Sequence, residues 1–254
     1  MDTRAATARE NLQIILDIGE QMLSSGAEIG RVEDSIERMC RVLGAEAIEC
    51  FAITYVIVVT ISGENLPGLT EIRRVDQFDR NMHKLTLLNT LSRDICAEKI
   101  ELKEARIRLE TIDQASASSL YSKMFIFALI SLSFTIFFGG SIVDALVSAL
   151  IGVLIAPIDQ FLLNKELNRF VQVFLCAASA GFLSNLAARI GVGISSELVS
   201  IGNIMIFIPG VIFTCAIQEF FSNNMLSGLT RFTEAIMLSL VVATGFVFVN
   251  VLLG

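Results

Sequence analysis

The 254-residue chain has no tryptophan, one histidine and three prolines. A single histidine, His83, cannot build a histidine-rich metal site, and no serine or cysteine stands in a pairing pattern with it. The five cysteines (Cys40, Cys50, Cys96, Cys176 and Cys215) are odd in number and include no C-x-x-C pair. That speaks against a disulfide framework and a zinc site, and reduced thiols fit a cytosolic setting. No G-x-x-x-x-G-K phosphate loop occurs. Paired acids, metal-ligand spacing and a nucleophile–base pair are missing as well. The pattern predicts no enzyme, no catalytic residue, no cofactor and no bound metal. The opening "MDTRAATARENLQ" lacks the apolar core of a secretory signal.

Charge is scarce in one half only. Of 45 charged residues, ten lie in 124–254. The chain is 54% hydrophobic, and its second half carries too little polar cover for a soluble surface. The first half mixes twenty acids with fifteen bases. That is a solvated surface without the basic footprint of a nucleic-acid binder. The expected organisation is a soluble domain over 1–115, a linker over 116–123 ("SASSLYSK") and a membrane domain over 124–254.

In the first half, Leu12, Ile15, Leu16, Gly19, Met22 and Leu23 recur at helical spacing, and Gly26 follows as a stop. Ile29, Val32, Ile36, Met39 and Leu43 form a second stripe, with Asp34–Arg38 and Glu37–Arg41 as i,i+4 pairs. In "FAITYVIVVTIS" the period changes to two, which predicts one strand or a pair. "GENLPG" reads as a turn and "LTEIRRV" as another strand. Two further stripes, Met82 to Ile95 and Leu102 to Ile112, complete an ααβββαα order, a small α+β domain. The acids Glu28, Glu33, Asp34 and Glu37 alternate with arginines and read as a solvated helix face rather than a cation site.

In the second half, five stretches approach the ~20 apolar residues needed to cross a bilayer: about 120–138, 141–158, 170–188, 198–217 and 235–253. The fold class expected is therefore an α-helical membrane protein with five transmembrane helices preceded by the α+β domain. Lys123, Lys165, Arg169 and Arg231 fall on one side and Arg189 on the other. The basic excess puts the N-terminal domain in the cytoplasm and Gly254 outside. Ser148, Gly152 and Ala156, and likewise Ala177 and Gly181, are small residues four apart that permit close helix approach. Asn185, Asn203 and Thr214 are polar residues inside spans. Asp144 either caps a helix start or lines a pathway.

The fourth stretch contains Pro209 and Gly210 and ends in Gln218 and Glu219. Pro209 lacks an N–H and its ring opposes the carbonyl of Met205, so the helix is expected to kink there. Backbone groups freed at that depth must be covered by protein or line a cavity, and broken helices mark binding sites in transporters.

"PGVIFTCAIQEFFSNNMLSGLTRFTEAI", Pro209 to Ile236, resembles the signature of the threonine/serine exporter (ThrE) family. The match falls on Pro209, Gly210, Thr214, Ala216, Ile217, Ser227, Gly228, Arg231, Glu234 and Ala235. "GAEIGRVEDSIERM" resembles the family's N-terminal motif at Gly26, Ala27, Glu28, Arg31, Glu33 and Asp34. Cys215, Gln218 and Glu219 depart from the family's Asn, Arg and Asp. The resemblance implies a secondary-active exporter of threonine and serine or of a succinate-like dicarboxylate in the bacterial inner membrane. The length is similar to the large (YjjP-like) subunit of the family's split form. That implies a small hydrophobic (YjjB-like) partner, a hetero-oligomer, and room for more than one copy of this chain. The substrate and ion pathway is then expected at Asp144, Asn185, Asn203, Pro209, Gly210, Thr214, Gln218, Glu219, Arg231 and Glu234. The competing reading is a membrane-anchored sensor or scaffold whose cytoplasmic domain carries the function.

Overall fold

The structure is a computed structural model that describes residues 3–64, 66–76, 81–115, 119–165, 167–190 and 194–253. It is mostly helical, with one three-stranded sheet. Backbone contacts divide it into two compact units, Met1–Ala117 with Thr214–Arg231, and Ser118–Phe213 with Phe232–Gly254.

The first unit starts with α1 (Thr3–Ser24) and α2 (Ile29–Val42), followed by β1 (Ala47–Ile53), β2 (Val56–Gly63), β3 (Leu66–Arg74), α3 (Met82–Cys96) and α4 (Leu102–Ala115). The apolar stripes of α1 and α2 are fully buried at Leu12, Ile15, Met22, Val32, Ile36 and Met39. They pack with Ile57, Val59 and Ile61 from the inner face of β2 in a single core. The strands form an antiparallel meander in the order β1-β2-β3. Ile53 pairs with Val56, so Thr54 and Tyr55 form a two-residue hairpin turn. That turn resets the phase of "FAITYVIVVTIS": Phe51 and Tyr55 are exposed whereas Ala52 and Ile57 are buried. The expected turn "GENLPG" is shorter than its Pro and Gly suggest, because β3 already begins at Leu66. Asn65, within that turn, lies outside the described residues. His83 is exposed on α3.

The second unit holds α5 (Leu120–Phe137), α6 (Ile142–Leu163), α7 (Arg169–Ile190) and α8 (Ser196–Ile204). Two helices, α9 (Gly210–Phe221) and α10 (Met225–Leu253), contribute residues to both units. Of the expected linker, 116–118 lie outside the described residues, and Leu120 to Lys123 form the first turn of α5.

Among the described residues, four helices (α5, α6, α7 and α10) are long and apolar enough to cross a membrane. The stretch 198–217, expected as the fourth of five spans and kinked at Pro209, is two separate helices. The chain leaves helical geometry after Ile204 and resumes at Gly210. Pro209 therefore lies just before a new helix, where its missing N–H costs nothing; Met205 to Phe207 form a hydrogen-bonded turn, and Ile208 and Pro209 lie outside both helix and turn. Gly210 has open space where a Cβ would be. Its place in the break does not come from steric need.

Small residues set the spacing of the second unit. A Cβ on Gly152 would lie 2.8 Å from the Phe127 carbonyl oxygen and the Ser131 Oγ. A Cβ on Gly245 would lie 2.8 Å from the Phe174 carbonyl oxygen. The α5–α6 and α7–α10 contacts are thus made at backbone range, which only small residues allow.

Candidate functional site

Two helix corners meet in the first unit. The first corner joins α1 to α2. Gly26 takes φ +100°, its N–H reaches the Leu23 carbonyl, and the Ala27 N–H reaches the Met22 carbonyl. This is a Schellman ending, and it requires a residue tolerant of the left-handed region, so Gly26 is needed here. Glu28 then stands at the N-cap of α2 without capping it by its own side chain.

The second corner joins α9 to α10 and repeats the same ending. Asn223 takes φ +62°, its N–H reaches the Phe220 carbonyl, and the Asn224 N–H reaches the Glu219 carbonyl. Asparagine is the side chain most tolerant of that backbone after glycine. Asn224 also opens α10, since its carbonyl accepts from the Gly228 N–H. A Cβ on Gly228 would lie 2.8 Å from the Phe220 ring, so glycine lets the two arms close.

The corners lock through side chains. The Glu219 Oε1 accepts from the Ile29 N–H at 3.1 Å, and its Oε2 accepts from the Asn224 Nδ2 at 2.9 Å. Arg231 donates from Nη2 to the Ala27 carbonyl at 3.1 Å, and the same nitrogen lies 3.8 Å from the Glu219 Oε1. Both side chains are buried, 1% exposed for Glu219 and 4% for Arg231. Glu28 accepts from the Ser222 Oγ at 2.6 Å and from the Gln218 Nε2 at 3.2 Å. The carboxylate of Glu219 thus does for α2 what its own N-cap side chain does not. It meets the first free N–H at the positive end of the helix dipole.

The acid cluster of α2 is correspondingly not one solvated face. Glu28 turns to the second corner, and Glu33 accepts from the Ala52 N–H of β1 at 2.8 Å. Asp34 makes the expected i,i+4 pair with Arg38 at 3.0 Å, and Arg31 is exposed. Burial pushes the Glu33 carboxyl above its ordinary value, opposed by the Ala52 N–H and reinforced by the charges of Glu37 and Glu219. A raised value means the folded state disfavours the ionised form. Glu33's contribution to stability is full below the ordinary glutamate range and is lost as pH rises through the raised value. Glu33→Gln is expected to remove that loss, so that thermal melts of the full chain become flatter with pH above the carboxylate range than those of the parent.

The other expected site residues lie in the second unit or carry bonds of their own. Asp144 caps α6: its Oδ2 accepts from the Ser141 N–H at 2.9 Å and the Ser141 Oγ at 2.8 Å, and the Ser141 Oγ accepts from the Asp144 N–H. Its Oδ1 accepts from the Ser195 N–H at 2.8 Å. Of the two roles open to Asp144, the geometry is that of a capping box tied to the start of α8. Asn203 is fully buried. It accepts from the Ser131 Oγ at 2.9 Å and donates to the Ser148 Oγ at 3.0 Å and the Val199 carbonyl at 2.9 Å. Asn185 donates to the Asn250 Oδ1 at 2.8 Å and to the Gly181 carbonyl. Glu234 lies 3.8 Å from Arg169. Thr214 is in the second turn of α9.

Sequence reasoning missed several participants. Ser222 and Asn224 were hidden because a turn residue shows its turn, not its distant partner. An ion pair between a buried acid and a part-buried lysine in the second unit was also missed. Lys123 Nζ lies 2.6 Å from the Asp159 Oδ2, and the Asp159 Oδ1 accepts from the Gln172 Nε2 at 2.6 Å. The signal was present, since Lys123 and Asp159 are lone charges flanking apolar runs. Lys123→Met is expected to cost about 3–5 kcal/mol, because it leaves a buried carboxylate without its cation. The double variant Lys123→Met/Asp159→Leu is expected to recover most of that loss in detergent melts.

A family profile described as "Putative threonine/serine exporter" (ThrE) matches residues 13–253. The chain belongs to the threonine/serine exporter family. The ThrE match runs through both corners and all four long apolar helices. Among curated proteins, "Pheromone-regulated membrane protein 10" of Pichia sorbitophila is 25% identical over 249 residues, which cover 95% of this chain and 25% of that protein. The chain spans about a quarter of the length of this curated relative. No solved structure matches the chain. Membership makes this a membrane protein of an exporter family. Among the described residues no group of three or more potential metal ligands occurs.

Proposed function

We propose that the chain is a subunit of a secondary-active exporter that moves small polar metabolites, either amino acids of the threonine/serine type or a succinate-like dicarboxylate. It works in the bacterial inner membrane with its N-terminal α+β portion in the cytoplasm and its C-terminus outside. Five passes, with α8 and α9 together making the fourth, follow from that orientation. The observation that carries the reading is the interruption at Met205 to Pro209, a turn and two non-helical residues set between two apolar helices. Backbone polar groups released inside an apolar stretch need protein or water as partners, and transporters use such breaks to meet polar cargo. Family membership supports the same reading.

A small hydrophobic subunit completes the exporter in this proposal, on the strength of the resemblance to the two-component form of the family. Efflux of labelled serine and succinate tests the whole, measured in cells with the chain alone, the partner alone and both. Accelerated efflux of one cargo with both subunits is the expected result. Unchanged efflux of both cargoes in every combination would leave the sensor or scaffold reading in its place.

A further inference from the structure

We propose that the start of α2, Arg231 and Asn224 form a carboxylate-binding cradle that Glu219 fills from within the chain, and that a carboxylate on a small solute displaces it. This rests on the exporter reading for the identity of that solute as cargo, but the cradle itself is argued from geometry.

Arg231 is a buried cation short of acceptors. A guanidinium carries five N–H donors in a rigid fork. The bond seen from Arg231 is Nη2 to the Ala27 carbonyl. Glu219 stands at 3.8 Å, beyond hydrogen-bond range. The Arg231 Nε is buried with no hydrogen-bond partner, and the residue is 3% exposed. A buried donor left unmade is costly, and a planar carboxylate is the acceptor that fits a guanidinium fork.

The start of α2 supplies the second part. This fourteen-residue helix has no side-chain cap from Glu28, which is drawn off to Ser222 and Gln218. The Ile29 N–H is answered by Glu219 instead. Asn224 supplies the third donor, through Nδ2. Glu219 satisfies the helix and the amide but, anchored to α9, does not close on the guanidinium. A free carboxylate has no such tether, so it can accept from the Ile29 N–H and from the Arg231 fork together. Glu28, the N-cap residue of α2, and Glu33, which feels the charge of Glu219, are acids near the cradle. The charge on the rest of the solute therefore separates an amino-acid zwitterion from a dicarboxylate.

The test uses the full chain purified in detergent, with acetate, L-serine, succinate and inorganic phosphate as probes, read by calorimetry and thermal shift. Glu219→Ala empties the cradle, and the isosteric Glu219→Gln serves if the alanine variant does not fold. Glu219→Ala is expected to bind a carboxylate at least about tenfold more tightly than the parent, the scale of one charge-assisted hydrogen bond; Glu219→Gln, whose amide oxygen still answers the Ile29 N–H, is expected to gain less. Adding Arg231→Gln is expected to abolish the gain. Serine against succinate shows which class of solute fills the site. The proposal is overturned if the Glu219 variants bind no tighter than the parent, if binding survives Arg231→Gln, or if phosphate binds as well as the carboxylates. Binding that meets the expectation while cells carrying the parent chain with the proposed small subunit show no efflux would sink the exporter reading and leave the cradle standing.

Discussion

Glu219→Ala is expected to destabilise the first unit by about 3–5 kcal/mol and to abolish export. The magnitude is that of breaking a buried ion pair by removing one partner. Arg231 is 3% exposed, so its charge cannot turn to water once the carboxylate is gone. The Ile29 N–H and the Asn224 Nδ2 lose their acceptor in the same step. Glu219→Gln keeps an oxygen for Ile29 and is expected to cost less, while still leaving Arg231 without an anion. Hydrogen exchange resolves the effect by place. Amides at the start of α2, from Ile29 to Val32, should lose protection in Glu219→Ala, while those of β2 change little. If α2 keeps its protection, the locking role assigned to Glu219 is wrong.

Gly202→Val is expected to prevent assembly of the second unit. A Cβ at this position would overlap the Thr135 Oγ1 and lie 2.8 Å from the Ser131 carbonyl oxygen and 2.9 Å from the Ser148 Oγ. The first two contacts come from α5 and the third from α6, so no single rotamer change relieves them. Overpacking usually costs about 1–3 kcal/mol, and contacts this short against backbone put valine at or above the top of that range. The same cluster holds Asn203, so displaced helices also strand its amide. Gly202→Ala/Thr135→Ala removes the shortest clash and is expected to restore part of the folded yield. Gly210→Ala is the contrasting control, because a Cβ there meets nothing within 4 Å. Membrane yield and melting temperature of the three variants check the order Gly210→Ala, then the double variant, then Gly202→Val.

These cases show what the sequence made legible. Periodicity was enough for the helices of the first unit, because each buries one face in one core, but not for the strands, where the Thr54–Tyr55 turn reverses the phase of the alternation. The break in the fourth apolar stretch was announced by Pro209. Its extent was not, because the turn from Met205 to Phe207 has no proline or glycine and depends on where α8 can no longer bury its residues. The composition boundary near residue 116 followed charge density. Contacts group differently, with Thr214–Arg231 joining the first unit. Apolar residues at the end of α9 gave no hint of this. The two signature motifs were visible as motifs, but the bond between Ile29 and Glu219 spans 190 residues. Local rules explain why Gly26 and Asn223 end helices; they do not say that the two endings face each other. Asp144 was legible as a choice between two roles, and the capping box with Ser141 fits the first.

The most direct measurement is serine and succinate efflux from cells carrying the chain with the proposed small subunit, in parent and Glu219→Gln forms matched for membrane level. The account predicts measurable efflux of at least one cargo in the parent and its loss in the variant. Undiminished efflux in Glu219→Gln would contradict the proposal that the joined helix corners take part in export.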